Sequence, residues 1–209
     1  NGDNVFRGHS IKPVHGGQGA TAGLSAALLA AAGFSAGPLE GEPPRFHAAL
    51  RLLSDAVDET RAIADLGTDW RCLELAYKLY PIGLLNIGPV EICIDMVRRD
   101  KVDADSIERI EVTTYREAVH FVGKYTTPES SYIDCYLSLP YCIAVSLYDG
   151  MLGVEQLEEH RVRDHKVHDL ARRVTFSEDP GMSARYPHEW PVAITFHLRG
   201  GGSVSRRVD

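Results

Sequence analysis

The 209-residue sequence has no long hydrophobic run and no excess of basic residues. Its longest apolar stretch, residues 24–34, is mostly alanine and is interrupted by Ser25 and Gly33, whereas a membrane helix needs about 20 apolar residues. The 22 basic residues are outnumbered by 29 acidic ones, so the net charge is −7. We therefore expect no membrane association and no general nucleic-acid binding, which requires a basic surface. A local group of lysines can still bind a small anion.

Cysteines are few, and none of them forms a Cys-x-x-Cys pair. The four cysteines, Cys72, Cys93, Cys135 and Cys142, have largely apolar neighbours and fit no common zinc-ligand spacing. They are therefore predicted to be reduced, mostly buried thiols, as in a cytosolic protein, and no metal site is expected.

The N-terminus lacks two further features. No basic segment followed by an apolar one opens the chain, so no signal peptide is expected and the predicted location is cytoplasmic. There is also no initiator methionine, because the sequence begins Asn1-Gly2-Asp3. We expect the chain to be processed or to be a piece of something longer.

The first third of the chain has a helical pattern. Residues 19–32 are rich in alanine on all faces and end at Gly33, which predicts a closely packed helix with a C-terminal glycine stop. A glycine- and proline-rich loop is predicted at 37–44, followed by a second helix at 45–66. Residues 70–80 are aromatic and mixed, which indicates a strand or an extended connector.

Beyond about residue 80 to 105 the character of the chain changes, because strand patterns join the helices. The predicted strands, which alternate apolar with polar residues, are 107–115 and the two arms of a hairpin at 192–198 and 203–208. The predicted helices are 89–99, 132–148 (ended by Asp149-Gly150), and one or two within 154–174. The fold class is therefore α+β, in which an all-α part precedes an α+β part with a few antiparallel strands.

Residues 17–23, Gly-Gln-Gly-Ala-Thr-Ala-Gly, superficially resemble a dinucleotide-binding glycine loop. No apolar strand precedes them, and no strand with a terminal acidic residue follows about 20 residues on, as that fingerprint requires. The glycines are better explained as a helix start that permits close packing. A dinucleotide-dependent oxidoreductase is therefore the weakest of the functional classes considered.

Two lysines stand out as candidate anion-binding groups. Lys12 and His15 lie just before the small-residue helix, whose N-terminal N–H groups favour a carboxylate, although an isolated loop lysine is most often simply solvated. Lys78 lies in the apolar, aromatic stretch 75–81, where burial would require a partner or a bound anion.

The charged segment 158–169 contains three histidines, His160, His165 and His168. The spacing of His165 and His168 would place both on one helix face, where they can hold a metal ion. Basic and acidic residues alternate among them, however, so a solvated helix face is predicted instead.

A set of segments, taken in order, carries a family resemblance. The segments are 12–23 with the alanine-rich helix after it, Leu39-Glu40-Gly41, 66–70 with Lys78-Leu79-Tyr80-Pro81, 106–112, 137–141 with Asp149-Gly150, and 192–208. This ordered set resembles the MmgE/PrpD family, which includes 2-methylcitrate dehydratase and cis-aconitate decarboxylase. The resemblance covers nearly the whole chain.

The resemblance implies a division into two domains. Residues 1–85 would form the last part of a helical domain, and residues 86–209 would form an α+β lid domain. Members of the family are considerably longer, so the chain is expected to be incomplete, either as a fragment or as a subunit of a split enzyme. A homodimer, or a complementary chain that supplies the missing helices, is expected by resemblance only.

The resemblance also implies an activity. Such an enzyme would be a lyase that abstracts a proton next to a carboxylate of a small di- or tricarboxylate, followed by dehydration, decarboxylation or isomerisation. Lys12 and Lys78 match active-site lysines of the family and would bind and neutralise the carboxylates, with His15 as a further binding residue. No metal or organic cofactor is implied.

The sequence departs from the family pattern at the general base. Gly83 stands where family members carry a histidine shortly after the Lys-x-x-Pro motif, and the lid tyrosine has no clear match near Val119. His120 is the candidate that could substitute as a catalytic residue. The departure supports an alternative, namely a divergent, catalytically incomplete subunit or an organic-acid-binding relative that needs a partner chain.

Overall fold

The computed structural model describes residues 11–35, 54–58, 61 and 64–209. The chain forms two compact units, one containing Lys78–Asp209 and the other Val14–Tyr77. The division into domains predicted at residue 85 stays a prediction. Ile82 and Asn86 are fully buried within the Lys78–Asp209 unit, so its core already begins in the segment that follows Lys78.

Helix α1 (Ile11–Ala31) confirms the predicted alanine-rich helix and begins earlier than expected. Gly33 follows it with φ +90°, a left-handed conformation that glycine adopts without strain, so the predicted stop is also confirmed. The predicted helix 45–66 is not continuous, because residues 54–58 are not helical. Much of that prediction, and the loop at 37–44, lies outside the described residues. Arg71–Glu74 is a 3₁₀ turn within a connector rather than a strand.

The Lys78–Asp209 unit is a mixture of helices and strands, which confirms the α+β class. Its helices are α2 (Ile87–Arg98), α3 (Arg116–Val122), α4 (Tyr132–Leu137), α5 (Leu139–Asp149), α6 (Glu159–Val162), α7 (His165–Ala171) and α8 (Pro180–Arg185). Its strands are β1 (Ile107–Thr114), β2 (Val174–Glu178), β3 (Val192–Leu198) and β4 (Ser203–Val208).

The four strands form one mixed sheet in the order β2-β1-β3-β4. The predicted hairpin is confirmed, since β3 and β4 pair antiparallel and β1 joins the other side of β3, also antiparallel. Strand β2 was missed, and it pairs parallel with β1, so the expectation of antiparallel strands alone was wrong. Only Val174 and Phe176 of this short strand turn toward the core, which is too brief an alternation to recognise.

One face of the sheet is buried and the other is polar. Ile110 and Val112 of β1, with Ile194 and Phe196 of β3, are fully buried in a single apolar core. Helix α2 packs against β3 and β4, and α5 packs against both α2 and α7. The opposite face presents charged and hydroxyl side chains, as the period-two alternation requires.

The apolar helix predicted at 132–148 is in fact two helices. The helical conformation is interrupted at Ser138. Its hydroxyl accepts a hydrogen bond from Tyr141 N, so Ser138 is the N-cap of α5. Pro140 suits the first turn of α5 and could not continue α4. Gly150, with φ +63°, ends α5 as predicted.

His168 is not on a solvated face, contrary to the prediction. Its side chain is fully buried on α7, where Nε2 lies 2.7 Å from the Val162 carbonyl oxygen and Nδ1 lies 3.1 Å from that of Thr126. The ring also packs against Tyr141. His165, one turn earlier on the same helix, is exposed as predicted.

The cysteines agree with the prediction in the main. Cys93, Cys135 and Cys142 are buried free thiols and Cys72 is an exposed one. Burial raises the pKa of the Cys135 thiol to about 12, and burial also raises the pKa of the Cys93 and Cys142 thiols. These three are held as neutral thiols, which are poor nucleophiles.

Native alkylation with iodoacetamide is therefore expected to modify Cys72 and to spare the three buried cysteines. After denaturation, all four should react. Intact mass and peptide mapping distinguish the two patterns. Rapid native modification of Cys93 or Cys142 would contradict the packing of α2 against α5.

The two units differ in whether they contain a buried core that could stabilise them alone. None of the described side chains of Val14–Tyr77 is buried, whereas Lys78–Asp209 has a continuous core. A protein of residues 78–209 is therefore expected to unfold in one cooperative transition in denaturant, because burial of apolar surface is the main source of stability. A non-cooperative transition, or exposed apolar surface by dye binding, would show that the core needs residues 1–77.

Candidate functional site

Lys78 begins the Lys78–Asp209 unit and is exposed, as are Leu75, Tyr77 and Leu79 before and after it. Its Nζ donates a hydrogen bond of 3.2 Å to the Ile82 carbonyl oxygen, across Pro81. This contact spans the Lys-x-x-Pro motif and ties the ammonium group to the loop that follows. The apolar neighbours of Lys78 in sequence thus do not bury it.

Gly83 is tightly packed. Its N–H donates to the Tyr136 carbonyl oxygen at 3.0 Å, and a Cβ at this position would lie 3.3 Å from Asn86 Nδ2 and 3.4 Å from Leu137 Cδ2. The buried Asn86 side chain donates to the same Tyr136 oxygen at 3.1 Å. A side chain at position 83 would therefore crowd Asn86 and Leu137, and these neighbours would have to shift by a few tenths of an ångström.

His120 lies on α3 and is exposed, with its ring edge-on to Phe121. Helix α3 packs against the 3₁₀ turn Leu84–Asn86, which follows the Lys-x-x-Pro motif. The structure therefore brings the helix of His120 and the segment after Lys78 to one corner of the unit.

A largely apolar cleft of about 220 Å³ opens at this corner. Its lining includes Leu84 and Leu85 from the turn, Tyr115 at the start of α3, and Trp190 and Val192 near β3. The polar groups of the lining include the Thr114 hydroxyl, which donates to the Pro191 carbonyl oxygen, and the Asp209 carboxylate, which pairs with Arg185 and Arg207. Lys78 and His120 are not themselves part of the lining.

Tyr115 is a cleft residue to which the sequence analysis gave no role. It is almost fully buried and stacks on Tyr186 with ring centroids 4.7 Å apart. Burial raises the pKa of the Tyr115 hydroxyl, and the neighbouring Tyr186 and Glu117 raise it further. The hydroxyl therefore stays protonated at neutral pH and can donate a hydrogen bond. Tyr125, by contrast, donates its hydroxyl proton to the Val174 carbonyl.

Glu117, on the first turn of α3, was also missed by the sequence analysis. Within the described residues its Oε2 is buried and has no hydrogen-bond partner. An unpaired carboxylate oxygen is unfavourable in a protein interior and is a candidate proton acceptor. No sequence pattern identifies Glu117, because the burial of its carboxylate depends on the packing around α3.

The other two predicted site residues belong to α1. His15 is exposed and lies in the Val14–Tyr77 unit, and the side chain of Lys12 lies outside the described residues. Their roles stay predictions.

The described part of the chain contains no cluster of histidine, cysteine, aspartate and glutamate side chains suited to a metal ion. None of its described helices is long and apolar enough to cross a membrane.

The family model described as MmgE/PrpD C-terminal domain matches residues 80–209. The chain belongs to the MmgE/PrpD family. The resemblance predicted from the sequence is thereby confirmed, and the matched region holds Gly83, His120 and the whole cleft. Lys12, His15 and Lys78 precede it. A search of the curated proteins gives no match.

Proposed function

We propose that this chain is part of a lyase that acts on a small di- or tricarboxylate. The observation that carries the proposal is the family match over 80–209, which encloses the cleft at the corner where the turn Leu84–Asn86 packs against α3. Because a fold alone does not determine chemistry, the residues at this corner support the proposal alongside family membership.

In the proposed reaction, a base removes a proton from the carbon next to a carboxylate. The developing negative charge spreads onto that carboxylate, and the ammonium groups of Lys12 and Lys78 stabilise it by ion pairing. In dehydration the hydroxyl group of the adjacent carbon then leaves together with a proton as water, and in isomerisation the proton returns at another position. In decarboxylation CO₂ leaves with cleavage of its C–C bond, and the electron pair left on the carbon skeleton takes up the proton that the base holds. His15 assists binding at Lys12.

His120 is the proposed acid–base group, because imidazole exchanges protons readily near neutral pH and this residue lies on the helix beside the cleft. Tyr115 offers a protonated hydroxyl on the wall of the same cleft. The proposal uses no metal and no organic cofactor.

The direct test supplies the purified protein with 2-methylcitrate, citrate and cis-aconitate, and follows products by mass spectrometry. Dehydration is detected as loss of the mass of water, and decarboxylation as loss of the mass of CO₂. Isomerisation is detected as a change of chromatographic retention time without a change of mass. Turnover of at least one acid is expected. Failure with all of them would remove the support for a lyase.

The alternative is a divergent subunit that binds an organic acid or completes its site with a partner. The glycine at position 83, where the resemblance places a histidine, favours it, and a Cβ there would lie close to Asn86 and Leu137. Mass spectrometry of the purified protein separates the two: a second, co-purifying polypeptide is expected for a split enzyme, and its absence together with turnover supports the complete enzyme.

A further inference from the structure

A second cleft, of about 510 Å³, lies on the polar side of the sheet. Its lining combines residues of β1, β2 and β3 with residues of the connection between α7 and β2. The lining residues are Glu108, Arg109, Arg172, Arg173, Thr175 and His197. Three arginines converge on this cleft in a protein whose net charge is −7, so it is a local exception to the acidic surface.

The geometry of β1 creates the cleft. The register between β1 and β3 shifts between Ile107 and Arg109, as in a β-bulge, so Glu108 and Arg109 are both exposed. Bulges of this kind re-aim side chains at the edge of a sheet. Arg109 then faces His197 directly on β3, and its Nη2 lies 3.2 Å from His197 Nε2.

The cationic groups are held in place by protein contacts. Arg109 pairs with Glu111, and Glu111 accepts a hydrogen bond from His197 at 2.9 Å. The His197 hydrogen bond and the neighbouring Arg109 lower the pKa of the Glu111 carboxyl, so this carboxylate stays ionised. Arg172 pairs with Asp169 on the surface.

Arg173 is different from the other two arginines. It is only half-exposed, and its Nη1 donates to the Ile107 carbonyl oxygen at 2.6 Å. Its own backbone oxygen accepts from Ile110 N, so both ends of the residue are fixed to β1. The described hydrogen bond of this guanidinium is to a neutral carbonyl, and a partly buried positive charge without a carboxylate partner favours a bound anion.

We propose that this cleft binds the phosphate group of a small molecule. A guanidinium presents several N–H donors in a planar fork, and the described contacts of each arginine use only some of them. Several forks from different elements suit a phosphate, which offers more oxygens and more charge than a carboxylate. The Glu108 carboxylate in the lining opposes binding and limits the affinity.

Calorimetric titration of the purified protein with inorganic phosphate and with pyrophosphate tests the proposal, with citrate as the competing anion, at ionic strengths matched between ligands and at two salt concentrations. Both phosphates are expected to bind, and more weakly as salt is raised. Arg173→Gln should weaken binding about tenfold, since it removes a charged hydrogen-bond donor. Arg172→Gln should also weaken phosphate binding. This second variant provides the test if Arg173→Gln does not fold.

Two matched variants complete the experiment. Glu108→Gln removes the opposing charge and should tighten binding a few-fold. Arg163→Gln makes the same charge change at an exposed arginine that pairs with Glu159 outside the cleft, and it should bind like the wild type. The proposal is overturned if no phosphate binding is detected, if the cleft arginines behave like Arg163, or if citrate binds more tightly than both phosphates. The proposed lyase activity is not read in this experiment, so the two proposals fail separately.

Discussion

Replacement of Lys78 by alanine is expected to lower kcat/KM for the carboxylate substrate by about 100-fold. The change removes an ammonium group that pairs with a substrate carboxylate, and the loss of a charged hydrogen-bond partner costs up to about 3 kcal/mol. The fold should be retained, because Lys78 is exposed and its hydrogen bond to Ile82 O is local. Steady-state kinetics and thermal unfolding of the same preparation measure both effects.

The matched control for this prediction is Lys166→Ala. Lys166 is an exposed lysine of the same unit, on α7, and it pairs with Asp105 at 2.9 Å. Its removal takes away the same charge at a position outside the Lys-x-x-Pro motif and should leave kcat/KM unchanged. Wild-type kcat/KM in the Lys78 variant would show that this lysine does not bind the substrate.

Replacement of His168 by alanine is expected to lower the free energy of unfolding by about 3 kcal/mol. The ring lies within hydrogen-bond distance of two carbonyl oxygens, those of Val162 and Thr126, and it fills space beside Tyr141. Its loss leaves buried carbonyls without this partner and creates a cavity, and both effects are destabilising. Denaturant unfolding monitored by circular dichroism gives the value.

His165→Ala is the control on the same helix. His165 is exposed, so its replacement should change the free energy of unfolding by less than about 0.5 kcal/mol. Equal effects of the two substitutions would mean that His168 does not join α7 to the loop at Thr126.

Much of the fold could be predicted because its signals are local. Strand β1 alternates Ile110 and Val112 with polar residues, and Gly150 marks the end of α5 by its need for positive φ. The division of 132–148 into two helices was also signalled, by Ser138 before Pro140, which is a typical helix start.

The rest depends on residues that are distant in sequence. His168 lies 42 positions after Thr126, and no pattern around it predicts that this partner would bury it. Strand β2 forms by parallel pairing with β1, a partner 64 residues earlier in the sequence.

The candidate site likewise contains residues that local sequence identifies and residues that only the fold brings in. The Lys-x-x-Pro motif singled out Lys78, whereas Tyr115 becomes a cleft residue only because α3 packs against Leu84–Asn86. The residues next to Tyr115 in the sequence indicate only the end of a strand. Gly83 could be noticed in the sequence as a departure from the family pattern, but its close packing against Asn86 and Leu137 required the structure.

The central claim is that the protein moves a proton at the carbon next to a carboxylate. Proton NMR in D₂O with 2-methylcitrate, citrate and cis-aconitate tests it directly, because deuterium enters that carbon in dehydration equilibria, decarboxylation and isomerisation alike. Protein-dependent deuterium incorporation is expected in at least one of these acids or its product, with a sharp reduction in Lys78→Ala. Unchanged spectra for all of them, with the folded protein and any co-purifying chain present, would contradict it.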